Sequence, residues 1–185
     1  MASSTIHLAV AKEYIKKNSL KNVEDFLSGT LYPDATQDKD KAHYTDLHRK
    51  KDILSHVRGK VNLFSFLNEH EILNDFELGW FLHLITDYLF FLECFSEEYL
   101  LNVSDDDFRR DAYFAYGCFN GYLSKKYHIT MKDYQNYLQE YYSPIPYQDN
   151  IFSKKLIDDF IKRVSSIELD EYILKIKKNK GNIIP

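Results

Sequence analysis

The sequence predicts an all-α fold, a single-domain helical bundle, and three observations carry that expectation. Glycine and proline, which punctuate turns and short strands, number only 6 and 4 in 185 residues. The period-2 alternation of a half-buried strand is nowhere sustained, although 15 tyrosines and 13 phenylalanines could have served it. At 22.0 kDa, residues 1–185 have the size of one domain, large enough to bury most apolar side chains around a single core.

The elements follow in order. Ile6, Val10 and Tyr14 recur at i, i+4 and i+8, and lysines gather from Lys12 to Lys17, which predicts an amphipathic first helix with cations at its negative end. Asn22 to Leu27 predicts a short second helix. The stretch "SGTLYPDATQDKDKAHY" then reads as an irregular loop, carrying Asp34 and His43 among turn formers. Apolar spacing supports helices near Asp46 to Arg58 and Val61 to Asn68, and Asn74 or Asp75 can cap a long apolar helix that runs to about Phe95. After a loop at "LLNVSDDD" a helix is expected from about Asp106 to Lys126. Thr130 and Asp133 open another, to about Tyr142, which "SPIPYQD" ends. Two last helices, near Phe152 to Ser165 and Leu169 to Lys178, complete the bundle, and the basic end "KIKKNKGNIIP" reads as solvated.

Composition excludes several function classes. The net charge of −4, with both signs interleaved, gives no electrostatic footprint for duplex nucleic acid. Cys94 and Cys118 lie among aromatics and suggest neither a disulfide framework nor a four-cysteine zinc site. The opening "MASSTIHLAVAKEYIKKN" lacks a basic leader followed by a cleavable apolar core, so the expected location is cytoplasmic. The longest near-apolar stretch, Leu78 to Leu92, is shorter than the ~20 residues of a membrane span.

Within that stretch lies the question of function. "LGWFLHLITDYLFFLECF" is the most apolar run in the chain, yet it contains His83, Asp87 and Glu93. Four residues along a helix turn through ~400°, so His83 and Asp87 stand one above the other. An unpaired buried polar group costs roughly 2–7 kcal/mol and a charge more, so something must satisfy both. They can hydrogen-bond each other within a core, as can any inward histidine and its neighbours. They can also belong to a larger set. His7 shares the inward face of the first helix with Val10, Ala11 and Tyr14, and Asp34 and His43 lie in the predicted loop, a common place for ligands. Together these five make an N/O donor set suited to zinc or a similar divalent ion. His70 and His128, like His48 and His56, stand in charged surroundings and read as surface residues.

The order of these residues, in "IHLAVAKEYI", "GTLYPDA", "AHY" and "LGWFLHLITDYLF", resembles the zinc-dependent phospholipase C family, which is related in fold to the S1/P1 nucleases. That family is an all-α bundle holding a cluster of metal ions by a helical His, a loop Asp, a loop His and then H-x3-D-x5-H-x13-H-x3-E. The resemblance implies His7, Asp34, His43, His83 and Asp87 as ligands, with Asp87 bridging two ions. From Asp87 onward the spacing is kept and the donors change: Glu93, Asp107 and Asp111 stand where the family has His, His and Glu. Three carboxylates would favour a harder cation there, although an acidic start to a helix is also ordinary dipole complementation. The resemblance spans about residues 4 to 112. No tryptophan precedes Trp80, so the family's N-terminal tryptophan ligand has no counterpart.

What the resemblance implies is a metal-dependent phosphoester hydrolase, phospholipase C-like, using Zn²⁺ or another divalent ion such as Mn²⁺, Mg²⁺ or Fe²⁺. Asp34 would be the catalytic base, and the substrate a small phosphoester or a phospholipid. The alternative is a non-catalytic metal-binding helical protein that retains only part of the family site. A plain bundle with satisfied core histidines, a third reading, predicts no bound metal. The adjacent His-Asp pair of HD phosphohydrolases and the Glu-x-x-His of di-iron bundles are both missing from the sequence.

Overall fold

The computed structural model describes residues 2–45, 61–71, 73–134, 147–148 and 150–179. Among them the chain forms α1 (Ser4–Lys17), α2 (Val23–Ala35), α3 (Lys39–Ala42), α4 (Leu63–Glu69), α5 (Asp75–Cys94), α6 (Glu97–Asn102), α7 (Asp105–Lys126), α8 (Lys154–Val164) and α9 (Leu169–Lys178). The only β pairing among the described residues is an isolated antiparallel bridge between Thr45 and Val61, so the fold is all-α. The helix expected at Asp46–Arg58, with His48 and His56, lies outside the described residues, as do most of the one expected from Thr130 and the chain beyond Asn179.

Side-chain caps start most of these helices. Ser3, Asn22, Asn62, Asn74, Ser96, Ser104 and Ser153 each accept a backbone N–H of the first turn, satisfying a donor that the helix itself leaves unpaired. At α5 the Glu77 side chain also reaches back to the Asn74 N–H, completing a capping box.

Two expectations need correction. First, α2 does not stop at Leu27 but runs through Gly29 and Pro33 to Ala35, so Asp34 sits in the last turn of a helix rather than in a loop. Pro33 cannot donate to the Gly29 carbonyl, a cost that tertiary packing outweighs here. The packing depends on the absence of side chains: a Cβ on Gly29 would lie 1.8 Å from the Phe76 carbonyl oxygen, and one on Gly79 2.0 Å from that of Phe26. The two backbones touch where α2 crosses α5. Second, α6 forms where a loop was expected, because Ser96 caps it and Leu100 is buried beneath it.

α5 is the central helix, packed by α2, α8, α1 and α4, while α1 also lies against α2, α7 and α8. Its lower half is held in an aromatic core, the Phe90 ring meeting Phe95, Phe152 and Phe160 at centroid separations of 5.8, 5.5 and 5.4 Å. Lys17 Nζ donates to Ser165 Oγ at 3.1 Å, tying the end of α1 to the end of α8. Cys94 and Cys118 are free and buried, as small apolar groups. No helix among the described residues is long and apolar enough to cross a membrane.

Because the crossing leaves no room for a methyl group, Gly79→Ala is expected to cost about 3 kcal/mol of stability in urea unfolding. A change within about 0.5 kcal/mol would show that the helices do not meet backbone to backbone.

Candidate metal centre

Five of the residues singled out in the sequence come together in two overlapping groups that share His83. His83 and Asp87 lie one turn apart on α5, with His83 Nε2 3.5 Å from Asp87 Oδ2. His43, the residue that closes α3, brings its Nε2 to 3.2 Å from His83 Nε2, 3.6 Å from Asp87 Oδ2 and 3.6 Å from Asp34 Oδ1. His7 approaches from α1 on the other side, its Nε2 3.3 Å from Asp87 Oδ1 and its ring stacked on His83 with centroids 3.6 Å apart. The two oxygens of Asp87 therefore face two different sets of donors.

Backbone carbonyls decide which nitrogen each imidazole turns inward. His83 Nδ1–H donates to the Thr30 carbonyl and His43 Nδ1–H to that of Lys39, both at 2.8 Å. A carbonyl can only accept, so both Nδ1 atoms carry the proton and in the neutral rings both Nε2 atoms present lone pairs. Those lone pairs point at each other, a repulsive arrangement unless a proton or a cation lies between them. Asp87 Oδ2 and both ring nitrogens of His7 are buried without a hydrogen-bond partner. Interiors rarely leave such atoms unpaired.

The neighbouring elements hold these groups in place. Tyr44, at φ 49°, turns the chain sharply after α3 and is fixed there by its hydroxyl donating to Glu69 at 2.6 Å and its carbonyl accepting from Asn62 N–H at 2.8 Å. On the other flank of His43, Trp80 Nε1–H donates to the Ala42 carbonyl at 2.7 Å. His70 belongs to this packing and corrects the surface reading: it is half-buried, stacked on Phe66 at 4.5 Å between centroids, with Nδ1 2.8 Å from Glu77. His128 is exposed, and its carbonyl accepts from Lys12. From the start of the chain, Ala2 N–H donates to Asp87 Oδ1 and the Ser4 hydroxyl to Asp34 Oδ2, each at 2.6 Å.

The charges are set by this crowding. Burial works to neutralise Asp87 and Asp34, but the imidazoles outweigh it, His7 first for Asp87 and His43 first for Asp34, and hold both carboxyls below the usual range. Burial, reinforced by His83, lowers the His7 pKa below the ordinary histidine value. For His43 burial acts downward, yet the hydrogen bond with Asp34 and the charges of Asp87 and Asp34 win and its pKa is raised. With Nδ1 already committed, the extra proton of His43 would sit on Nε2, where a cation would otherwise bind. The site thus offers two carboxylates and three imidazoles, and could hold a divalent metal ion through His7, His83 and Asp87 or through Asp34, His43 and His83.

The other three candidates lie apart from this cluster. Glu93 pairs with Arg163 near the surface. Asp107 accepts from the Ser104 hydroxyl and pairs with Arg110 at 2.6 Å, while Asp111 pairs with Arg110 at 3.0 Å and accepts from the Tyr99 hydroxyl at 3.1 Å. Arg163 engages Glu93 and the single Arg110 is shared by Asp107 and Asp111, and none of the three joins the two metal-capable groups among the described residues. Sequence reasoning missed the supporting donors and acceptors, since carbonyls of Thr30 and Lys39 carry no residue signature. The one available signal was "ASST" at the head of a helix that contains His7. No protein-family model, no curated protein and no solved structure matches the chain.

Trp80, the one tryptophan of the chain, sits one turn before His83 and bonds the residue before His43. Titrating metal-free protein with Zn²⁺ is expected to shift its fluorescence saturably, and His43→Ala should abolish the shift. An unchanged spectrum in protein that has taken up metal would show that Trp80 does not report on the site.

Proposed function

We propose that the chain is a metal-dependent phosphoester hydrolase, phospholipase C-like, with its centre on His7, Asp34, His43, His83 and Asp87. The observation that carries the metal is the pair of Nε2 atoms at 3.2 Å, each with its other nitrogen committed to a carbonyl. Corners of a tetrahedron ~2.0–2.1 Å from a central zinc stand ~3.3–3.4 Å apart. His43 Nε2 lies 3.2, 3.6 and 3.6 Å from His83 Nε2, Asp87 Oδ2 and Asp34 Oδ1, and His83 Nε2 lies 3.5 Å from Asp87 Oδ2; these spacings, with imidazole nitrogens among the donors, favour zinc over the larger, oxygen-seeking Ca²⁺.

A divalent ion bound there would supply Lewis acidity and lower the pKa of water. The chain's own residues supply the rest. His43 and His83 are held with Nε2 inward by their carbonyl partners, an outer shell that also raises their donor strength. Asp87, with one oxygen toward His43 and His83 and the other toward His7, is disposed as a bridge between two positions. Asp34 is the member that reaches solvent, its side chain 12% exposed against 3% or less for the others, so an incoming water meets it first. Ionised at neutral pH, it can accept that water's proton as the water attacks phosphorus and the ester P–O bond breaks, acting by placement more than by basicity. A small phosphoester or a phospholipid headgroup is the substrate class.

A second reading, a metal-binding protein without catalysis, is favoured by a separate observation. Glu93, Asp107 and Asp111, at the positions of the family's remaining ligands, are engaged by Arg163 and Arg110 and stand outside both metal-capable groups, so only part of that site is retained.

Metal content measured by plasma mass spectrometry tests both readings. One equivalent or more is expected in the wild type and in Asp107→Ala, and a loss of it in His83→Ala and Asp87→Ala. The loaded wild type is expected to hydrolyse bis(p-nitrophenyl) phosphate or phosphatidylcholine, with kcat falling roughly 10²–10⁴-fold in Asp34→Asn. Metal without turnover would leave the second reading standing, and no metal after incubation with Zn²⁺ or Mn²⁺ would overturn both.

A further inference from the structure

We infer that the Ser4 hydroxyl is a positioning group that governs how firmly the centre retains its metal, by fixing which oxygen of Asp34 faces His43. The inference rests on the metal reading above and concerns a residue outside the donor set.

The five donors are not secured equally. His83 and His43 are held by carbonyls of Thr30 and Lys39. Asp87 is fully buried and takes Ala2 N–H on Oδ1. Asp34 alone among them has a side chain open to water, and water is the competitor that would draw a carboxylate out of a metal site. Its hold is the Ser4 hydroxyl, which donates to Oδ2 at 2.6 Å and leaves Oδ1 turned toward His43 Nε2 at 3.6 Å. A hydroxyl on a carboxylate at that distance is a charge-assisted bond, stronger than a neutral one.

Ser4 is itself placed by its neighbours. It is the first residue of α1, and the residues on both sides are tied to other parts of the fold: the Ser3 hydroxyl donates to Asn120 Oδ1 at 3.1 Å, and the Thr5 and Tyr134 hydroxyls share a hydrogen bond at 2.7 Å. The hydroxyl therefore meets Asp34 at a fixed position, and its removal frees Asp34 to rotate toward solvent without disturbing the helix. Groups that orient ligands in this way are commonly worth 10–100-fold in metal affinity.

The test uses the full chain as wild type, Ser4→Ala, Ser4→Thr and His83→Ala, each titrated with Zn²⁺ against a chromophoric chelator, with release timed after excess chelator and folding followed by circular dichroism. Ser4→Ala is expected to fold as the wild type does, bind Zn²⁺ roughly 10–100-fold more weakly and release it correspondingly faster. Ser4→Thr, which restores a hydroxyl, should lie within a few-fold of the wild type. Equal affinity and release in Ser4→Ala and wild type, with zinc lost in His83→Ala, would overturn the role of Ser4 and leave the metal centre intact. Ser4→Thr as weak as Ser4→Ala would also overturn it, since the hydroxyl would then not be the cause. A wild type that takes up no zinc would overturn this inference together with the metal reading.

Discussion

The close backbone approach of α2 and α5, Gly29 against Phe76 and Gly79 against Phe26, is the constraint on which the rest of the structure depends. Any side chain there would drive α2 away from α5, and the donor set is built across that seam. Thr30 follows Gly29 directly and its carbonyl accepts from His83, one turn beyond Gly79. One further turn along each helix come Asp34 and Asp87, which both face His43. The i, i+4 rhythm of two helices, set in register by two glycines, thus brings an acceptor to the imidazole and two carboxylates to a common point.

That arrangement stores an electrostatic conflict. A folded chain ordinarily pairs its buried polar groups, yet both His7 nitrogens and Asp87 Oδ2 stand without partners while the outward nitrogens of His43 and His83 are fully engaged. The engaged atoms are the ones that orient the rings. The cluster could hold a metal ion through these groups.

The helices were largely legible in the sequence because their signals are local: Asn74 with Glu77 marks the start of α5, and α9 occupies the range that its spacing indicates. The full length of α2 was not legible, because Gly29 and Pro33 read as breakers and only the crossing with α5, a contact of residues about 50 apart in sequence, makes glycine a requirement there. Of the site, His7, His83 and Asp87 could be picked out because polar groups on inward helix faces are anomalous, and Asp34 and His43 because they stood in a predicted loop. The outer layer of carbonyls could not, because every residue has one. Glu93, Asp107 and Asp111 show the limit of spacing as evidence: Arg110 lies within one helical turn of Asp107 and Asp111 and could have been read as their partner, whereas Arg163 reaches Glu93 from 70 residues away through the fold.

All the converging donors come from α1, α2, α3 and α5, in the first half of the chain, but the walls do not. α8 covers α5, and Lys17 at the end of α1 is joined to Ser165, 148 residues away. On a ribosome, His7 through Asp87 would emerge well before α8, so α1 and α5 could meet that packing partner only when most of the chain had been made. A topology of such distant pairings folds more slowly than a bundle of sequential hairpins. During that interval the histidines and carboxylates would be solvated, so any divalent ion the site could hold would first meet a flexible donor set rather than the folded one.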